Sequence, residues 1–398
     1  MRILVVCQYY YPENFVITPI CESLVRRGHE VFVVTGKPNY GFGKIADGYE
    51  NVVDEDINGV HVHRLKLVAR KKSKLSLIRN YLSFYLSSKR YLAHLKDKFD
   101  VVYSMSMSPL ISVEGGEVYA KKHHVKCLIH CLDLWPESAV IAGKIKKGSL
   151  FYKVLYGWSR RIYKRADEIL ISSPSFASYF SDVLKLNDKK LVFAPQPPMV
   201  ELSKEPDYAY NKKYNIVYAG NVGNLQLVEN YVKAVSLLKD RDDFQFHIIG
   251  NGARLNEVKK LIKNLSLEDK AIVHPMVKSN EVGEYFINAT ALVVPLKITE
   301  SPVSKTIPNK LVSSLFYAKP ILATISGDGE AVLKKAGGSF FSDENEESIA
   351  KMIVTLLDTD PETLKKMGEN NKKYFSAHFD FERSVDGIEE EIKEVRKS

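Results

Sequence analysis

Two glycine-containing turns are the segments of this sequence best suited to bind a phosphate group: Gly220-Asn221-Val222-Gly223 and Gly250-Asn251-Gly252. Each turn follows a short apolar run typical of a buried parallel strand, and the loops at the carboxyl ends of such strands form the ligand crevice of an open α/β sheet. A helix predicted from Leu225 to Leu238 follows the first turn. Its first backbone N–H groups and the positive end of its dipole would attract an anion. The alternative is a tight strand–helix turn that binds nothing.

The spacing of these glycines disfavours two common nucleotide-binding motifs. The segment GNVGNL has neither the GxGxxG of a dinucleotide-binding fold nor the GxxxxGK[ST] of a P-loop. A phosphate-bearing ligand is therefore predicted, but the sequence favours neither NAD binding nor ATP hydrolysis.

Strands and helices alternate along the whole chain, which is the pattern of a doubly wound α/β fold. Residues 17–35 read as a helix, a glycine stop and a β-branched strand, the order of a βαβ unit. A proline-dense polar segment, residues 195–212, separates two such patterns and is predicted to be a linker. We therefore expect Rossmann-like domains over residues 1–194 and 213–376, with a ligand-binding cleft between them.

The composition is that of a globular protein. A chain of 398 residues exceeds what one hydrophobic core usually holds, and 45% hydrophobic with 26% charged residues is ordinary. No apolar run approaches the ~20 residues that span a bilayer. The four cysteines form no CxxC pair, which fits reduced thiols in a cytoplasmic protein. No metal-ligand spacing occurs, so neither a metal nor another cofactor is predicted.

Positive charge is concentrated in the first half of the chain. Residues 1–200 contain 30 Lys and Arg against 18 Asp and Glu, whereas residues 201–398 contain 27 against 30. Many of these basic residues accompany apolar and aromatic side chains in two predicted helices, near residues 75–96 and 148–165. Such helices suit docking on an anionic membrane surface, although helices packed on the sheet with solvated outer faces show the same pattern. Nucleic acid binding is not predicted, because no motif that reads RNA or DNA occurs.

Four motifs carry a family resemblance. They are YYYPEN, RRGHEVFVVTGKPNYGFGK (Arg26 to Lys44), DLWPES (Asp133 to Ser138), and IPNKL (307–311) running into AKPI (318–321). Together they resemble the retaining family 4 glycosyltransferases of the GT-B fold, and most closely the N-acetylfucosamine-type transferases of bacterial surface polysaccharide synthesis. The resemblance covers nearly the whole chain. It implies two Rossmann-like domains that face each other across a cleft, with the acceptor on the first and a UDP-sugar on the second. A final helix over residues 377–398 could cross back to the first domain.

The resemblance also implies donor contacts in the second domain. Backbone groups of the two glycine turns and a fixed positive charge on Lys310 would stabilise the leaving diphosphate, so that no metal is needed. Ser313 falls where relatives have a ribose-binding glutamate, and Lys305 falls where they have its partner, with Glu300 as a possible substitute. Relatives also carry an arginine and a lysine at positions that are Asn221 and roughly Gln226 here.

Three further positions could contact the donor. Met276 and Val277 follow a predicted strand where relatives recognise the base through backbone groups, and core packing is the alternative. Glu330, at a predicted helix start, could bind sugar hydroxyls or belong to a capping turn.

On the acceptor side, Asp133 falls where relatives place a histidine or aspartate near the reacting sugar. A carboxylate there could stabilise a cationic sugar transition state or position the acceptor hydroxyl. The alternative is that it caps a helix starting near Pro136. Trp135 could stack on a sugar or close the core, and Glu137 could be an alternative acid–base group or an ordinary first-turn glutamate.

The loop after the first strand contributes Tyr11, Glu13 and Asn14, which are predicted to contact the acceptor or the donor sugar because loops at strand ends often carry function. His130 lies inside an apolar strand and is predicted to be a satisfied core histidine rather than a catalyst.

The sequence therefore predicts a retaining, metal-independent glycosyltransferase of capsule or O-antigen type synthesis. It would move an N-acetylated hexosamine or deoxyhexosamine from UDP to a lipid-linked saccharide, as a cytoplasmic protein peripherally associated with the inner face of the membrane. Two alternatives remain open. One is a UDP-sugar epimerase of the same fold, and the other is a non-catalytic nucleotide-sugar-binding partner of another transferase, which the missing glutamates suggest.

Overall fold

A computed structural model describes residues 1–71, 73–141, 143–200, 209–275, 277, 281–298 and 306–397. The chain divides into two compact units, the first made of Met1–Pro197 with Phe381–Ser398 and the second of Pro198–Asp380. Each unit has its own sheet with its own hydrophobic core. Among the described helices, none has the length and apolar character required to cross a bilayer.

The described strands of the first unit form one sheet. They are β1 (Arg2–Val6), β2 (Glu30–Gly36), β3 (Asp54–Ile57), β4 (Val60–Leu65), β5 (Val101–Ser106), β6 (Lys126–Cys131), β7 (Glu168–Ile171) and β8 (Lys190–Phe193). Their order is β3-β4-β2-β1-β5-β6-β7-β8, and every neighbouring pair is parallel except β3 with β4. The central strands are buried runs of Val, Ile and Leu, as expected for a parallel sheet covered on both faces.

Strand β3 was not predicted from the sequence. Its residues, DEDI, have a low β propensity and lie at the sheet edge. Side-chain hydrogen bonds across the antiparallel ladder hold it: Asp54 faces His63 and Asp56 faces His61. The formation of β3 therefore depends on its pairing with β4, and its own sequence pattern does not predict it.

The described helices of the first unit pack on both faces of this sheet. They are α1 (Ile17–Arg26), α2 (Lys74–His94), α3 (Glu114–His123), α4 (Glu137–Ile141), α5 (Leu150–Arg165) and α6 (Phe176–Ser178). Serine side chains cap the two longest of them, because Ser73 accepts from the amide of Ser76 and Ser149 from that of Tyr152.

The second unit repeats the architecture. Its described strands are β9 (Tyr214–Ala219), β10 (Phe244–Ile249), β11 (Ala271–Val273), β12 (Ala291–Pro295), β13 (Ile321–Thr324) and β14 (Ser339–Phe341), in the parallel order β11-β10-β9-β12-β13-β14. The described helices are α7 (Val228–Ser236), α8 (Leu255–Asn264), α9 (Val282–Ile287), α10 (Asn309–Phe316), α11 (Asp328–Ala336), α12 (Glu346–Asp358) and α13 (Pro361–His378). The doubly wound α/β architecture predicted from the sequence is thus present in each unit.

The last helix, α14 (Phe381–Lys397), belongs to the first unit. Its apolar face enters the core of that unit through Val385, Ile388, Ile392 and Val395. Arg27 at the end of α1 pairs with three carboxylates of α14, those of Glu382, Asp386 and Glu389.

Both sheets contain a switch point, where the chain stops adding strands on one side and starts on the other. It lies between β1 and β5 in the first sheet and between β9 and β12 in the second. The loops that follow these strands are where open α/β sheets bind ligands. The first predicted glycine turn follows β9 directly, and the loop with Tyr11 follows β1.

Candidate functional site

The two predicted glycine turns lie side by side after β9 and β10. The amide of Gly220 donates to the carbonyl of Ile249, and the amide of Val222 to the carbonyl of Asn251, both at 2.9 Å. Gly220 and Gly250 have φ angles of 140° and 144°, which residues with a side chain rarely adopt. A β-carbon on Gly250 would lie 2.0 Å from the carbonyl oxygen of Gly220. Close packing between the two turns therefore accounts for part of the glycine requirement.

A Gly250→Ala change should lower the free energy of unfolding of the second unit by about 2–3 kcal/mol, because the methyl group overlaps the Gly220 carbonyl and forces a strained φ. Gly387→Ala on α14 is the matched control, since nothing lies within 4 Å of a β-carbon there. Denaturant unfolding of both variants checks this. Equal losses of stability would contradict the packing argument.

The helix after the first turn starts later than predicted. It begins at Val228 and not at Leu225, because the intervening residues hydrogen-bond to the segment after β12. The amide of Lys297 donates to the carbonyl of Leu225 (2.8 Å), and the amide of Leu227 donates to the carbonyl of Pro295 (3.2 Å). The expectation that helix amides directly follow the turn is therefore wrong.

Gln226 occupies donors of the first turn. Its Oε1 accepts from the amide of Gly223 at 3.1 Å and from the side-chain amide of Asn221 at 3.2 Å. A diphosphate that used the predicted backbone donor of Gly223 would have to displace a neutral amide oxygen. An anion is a stronger acceptor than that oxygen, so the exchange favours the ligand.

Lys310, in the first turn of α10, reaches the same place from a distant part of the sequence. Its Nζ donates to Tyr218 Oη at 2.8 Å, and a β-carbon on Gly220 would lie 2.5 Å from that Nζ. Tyr218 in turn donates to the carbonyl of Asn221. Burial lowers the pKa of Lys310 to about 7. The expected fixed positive charge is therefore corrected to a titrating one in the unliganded protein.

The other residues predicted to bind the sugar donor make ordinary structural contacts or lie outside the described residues. Ser313 is half-buried on α10, one turn after Lys310. Val277 packs against the apolar cluster that includes Ile249. Glu330 forms an ion pair at 2.6 Å with Lys334 within α11. Met276, Glu300 and Lys305 lie outside the described residues.

In the first unit, Asp133 lies in the loop that follows β6. Its carboxylate accepts hydrogen bonds from the hydroxyls of Ser138 and Ser108 and from the amide of Leu134. Burial raises the pKa of Asp133, and these hydrogen bonds oppose that rise. Helix α4 starts only at Glu137, and the helical group that Asp133 binds is the hydroxyl of Ser138. The carboxylate is thus held in one orientation by three donors.

Trp135 and Glu137, which follow Asp133, hydrogen-bond to side chains of neighbouring segments. The indole of Trp135 donates to Ser108 Oγ at 2.7 Å. Glu137 is buried, and its two oxygens accept from the hydroxyls of Tyr152 (2.6 Å) and Tyr179 (2.5 Å). Because both oxygens are occupied in the core, the alternative of Glu137 as an acid–base group is disfavoured.

His130 is confirmed as a core histidine. It is fully buried, its Nδ1 lies 2.9 Å from Tyr103 Oη and its Nε2 lies 3.0 Å from the carbonyl oxygen of Ala194. Burial lowers the pKa of His130 to about 4, so that the ring is neutral near pH 7.

The three predicted residues after β1 separate into two groups. Tyr11 and Asn14 are exposed, as a ligand contact requires. Glu13 is buried, and one of its oxygens accepts from the amides of Asn39 (2.7 Å) and Tyr40 (2.5 Å). Glu13 therefore joins the loop after β1 to the loop after β2. Only its second oxygen and its neighbours Tyr11 and Asn14 could make the predicted sugar contact.

Comparisons with known proteins agree with the two α/β units described above. The family model "Glycosyl transferase 4-like domain" matches residues 14–196, and "Glycosyl transferases group 1" matches residues 201–374. The solved structure of Anabaena Alr3699/HepE in complex with UDP-glucose is similar over 99% of this chain and 100% of that one, with a TM-score of 0.64 and 12% identity. The chain is a glycosyltransferase of the GT-B fold.

Two curated relatives have a higher sequence identity but align over a smaller share of the chain. The probable glycosyltransferase WbjE of Pseudomonas aeruginosa is 27% identical over 253 residues, which are 60% of this chain and 60% of that protein. The putative colanic acid biosynthesis glycosyl transferase WcaI of Escherichia coli is 24% identical over 291 residues, 68% of this chain and 70% of that protein.

Sequence reasoning missed one group of residues in this glycosyltransferase, which we call the aromatic–arginine cluster: Tyr9, Phe15, Tyr40 and Arg70. The three rings contact one another with centroids 5.1–5.2 Å apart, and the guanidinium carbon of Arg70 lies 4.7 Å from the Tyr40 centroid. Tyr9 lies in the YYYPEN motif, Phe15 directly follows it and Tyr40 lies in the motif from Arg26 to Lys44, so the sequence provided a signal. Their meeting with Arg70 depends on tertiary structure.

Buried amides hold the cluster together. Gln8 donates to Asn80 Oδ1 at 2.8 Å, and Asn80 donates to Asn39 Oδ1 at 3.0 Å and to the carbonyl of Val68 at 2.7 Å. The amide of Arg70 donates to the same Asn39 oxygen at 3.0 Å. The loops after β1, β2 and β4 therefore form one rigid surface at the carboxyl edge of the sheet.

Proposed function

We propose that this glycosyltransferase moves a sugar of the N-acetylated hexosamine or deoxyhexosamine class from UDP to a lipid-linked saccharide in surface polysaccharide synthesis. The observation that carries the donor half is the meeting of Lys310, Tyr218 and Gly220 at the switch point of the second sheet. A buried amine beside exposed backbone turns suits a diphosphate. The UDP-glucose in the HepE structure and the name of WcaI support the nucleotide and the pathway class.

In the proposed reaction, the bond between the anomeric carbon and the UDP oxygen breaks, and the acceptor oxygen forms a bond on the same face of the sugar. The diphosphate leaves with a growing negative charge, which Lys310 stabilises most strongly in the transition state. The departing phosphate oxygen takes the proton of the acceptor hydroxyl. Asp133, oriented by its three donors, stabilises the positive charge that develops on the sugar. The proposal includes no metal or other cofactor.

A membrane surface is the proposed location of the acceptor. Helices α2 and α5 approach each other through their side chains: Tyr85 meets Trp158 edge to face at 5.1 Å, and Lys89 and Arg161 both bind the carboxylate of Glu114. Both helices expose apolar side chains. These are Leu75, Ile78, Leu82 and Leu86 on α2 and Leu150, Phe151 and Val154 on α5, all 40–80% exposed.

Exposed lysines accompany this apolar surface at Lys71 and Lys74 and at Lys146, Lys147 and Lys153. Lys72 lies outside the described residues. Apolar side chains accompanied by lysines fit the headgroup region of an anionic bilayer, where each cation adds about 1 kcal/mol to the free energy of membrane binding.

Replacing Leu150 and Phe151 together by serine should weaken binding to phosphatidylglycerol vesicles about tenfold, because both side chains would lose apolar burial in the lipid. Leu237→Ser, which changes a 54% exposed leucine of the second unit, is the matched control and should leave binding unchanged. Vesicle co-sedimentation measures both. Equal binding of the wild type to phosphatidylglycerol and phosphatidylcholine vesicles would contradict an electrostatic contribution.

The test of the overall proposal is UDP release by the purified protein with a panel of UDP-sugars, with and without undecaprenyl-diphosphate-linked saccharides. Release that requires one donor and the lipid acceptor supports the transferase and identifies its donor. Conversion of a UDP-sugar without acceptor would indicate the epimerase. UDP binding, seen as a raised melting temperature, with no release from any pair would favour a non-catalytic partner.

A further inference from the structure

Arg70 lacks the kind of partner that most described arginines have. Those paired with a carboxylate are Arg2, Arg26, Arg27, Arg64, Arg161, Arg165, Arg241, Arg254 and Arg396. Within the described part of the chain, no carboxylate lies at ion-pair distance from Arg70. Its neighbours are the ring of Tyr40 and the hydroxyl of Tyr9, at 3.4 Å. A half-buried guanidinium held by neutral groups keeps its charge available for an anion.

The position of Arg70 is fixed and lies close to the proposed chemistry. Its backbone is held by Asn39, and its side chain lies on the ring of Tyr40. Arg70 follows β4 and Asp133 follows β6, so both lie at the carboxyl edge of the first sheet. The guanidinium is therefore preorganised at the edge that carries the carboxylate assigned to the acceptor side, which reduces the entropy cost of binding.

An apolar surface begins beside this cation. Helix α2 starts four residues after Arg70, and Leu75, Ile78, Leu82 and Leu86 lie along one of its faces with exposures of 58, 44, 40 and 61%. At 1.5 Å per residue this stripe is about 16 Å long. An unpaired cation at the end of an apolar stripe is complementary to an anionic group joined to a hydrocarbon chain.

We propose that Arg70 binds the diphosphate through which the acceptor saccharide is attached to its isoprenoid lipid, and that the stripe on α2 contacts the first isoprene units. This inference rests on the proposed function, which it extends by naming the recognised part of the acceptor. The planar guanidinium can donate two parallel hydrogen bonds to phosphate oxygens. The rings of Tyr9 and Tyr40 hold it in place without neutralising it.

Two synthetic acceptors that carry the same saccharide test the inference, one on a short isoprenyl diphosphate and one on a neutral alkyl chain. Arg70→Gln should lower kcat/KM for the diphosphate acceptor about 20-fold, as expected for loss of a charged hydrogen bond, and leave the neutral acceptor within about twofold. Arg70→Lys should recover part of the loss. Lys121→Gln, which removes an exposed charge from α3, is the matched control.

Equal losses with both acceptors would overturn the inference, since they would show a structural role for Arg70. A loss that followed a carboxylate on the saccharide, instead of the diphosphate, would overturn it as well.

Direct binding separates this inference from the proposed function. Farnesyl diphosphate is titrated into wild type and Arg70→Gln with UDP at saturation, so that the donor site is occupied. We expect about 20-fold weaker binding to the variant and unchanged UDP affinity. Equal binding to both proteins would refute the role of Arg70. Failure of the wild type to transfer sugar to any acceptor would instead refute the proposed function, whatever this titration shows.

Discussion

Lys310→Met is expected to weaken UDP binding about 100-fold at pH 7 and to remove most of the pH dependence of that binding. The wild-type amine touches Tyr218 Oη at 2.8 Å beside Gly220, where the diphosphate is proposed to lie. A buried charged hydrogen bond of this kind contributes up to about 3 kcal/mol. Methionine fills the same space without a charge or a donor.

The pH dependence follows from the pKa of Lys310, which burial lowers to about 7 in the unliganded protein. A bound diphosphate raises that pKa by about 1–3 units, because it favours the charged amine. Below pH 7 the amine is already protonated and affinity stays nearly constant. Above pH 7 binding must take up a proton, so affinity falls with rising pH, approaching tenfold per pH unit, until the pKa of the complex is reached. The terminal phosphate of UDP has a second pKa of about 6, so its own titration is common to wild type and Lys310→Met and cancels when the two are compared.

Calorimetry in two buffers of different ionisation enthalpy counts the protons taken up on binding. The expected difference in proton uptake between wild type and Lys310→Met rises from about zero at pH 6 towards one at pH 8. Lys319→Met is the matched control, because burial also lowers the pKa of Lys319 but no contact places it near the glycine turns. A pH slope that persists in Lys310→Met, or that disappears in Lys319→Met, would contradict the assignment.

The fold could be predicted from the sequence to the extent that each element carries its own pattern. The parallel strands β1, β5 and β9 are apolar runs with glycine or polar residues after them, and their burial makes that pattern strong. Strand β3 could not be predicted, because its acidic residues are stabilised by histidines across the ladder. The start of α7 was missed for a similar reason, since backbone bonds to the segment after β12 delay it.

The candidate site divides in the same way. The glycine turns and Asp133 are local signals at strand ends, and both lie at carboxyl edges of the sheets. The titrating charge of Lys310 results from burial against Tyr218, which is far away in sequence. The positional role of Glu13 and the unpaired state of Arg70 likewise depend on loops that meet only in the folded chain. Sequence spacing identifies such groups, but burial and partners determine their charge and availability.

Asp133→Asn is expected to lower kcat about 10³-fold while changing the Kd for UDP by less than about twofold. Asparagine has nearly the same shape, and its amide oxygen can still accept from Ser138, so the loop after β6 should keep its structure. What is lost is the negative charge, which in the proposed reaction stabilises the cationic sugar. Single-turnover transfer and calorimetric UDP titration measure the two quantities.

The pH profile gives a second readout of the same carboxylate. Burial raises the pKa of Asp133, so the ionised form that the reaction needs is lost at a higher pH than for an exposed aspartate. The rate of transfer should therefore fall on the acid side of neutrality, and Asp133→Asn should abolish that limb together with most of the rate. The variant Glu137→Gln is the control, because this neighbouring carboxylate is occupied by Tyr152 and Tyr179. It should lower stability and leave kcat within about tenfold. Full activity of Asp133→Asn, or equal losses of kcat in the two variants, would exclude a direct role for Asp133.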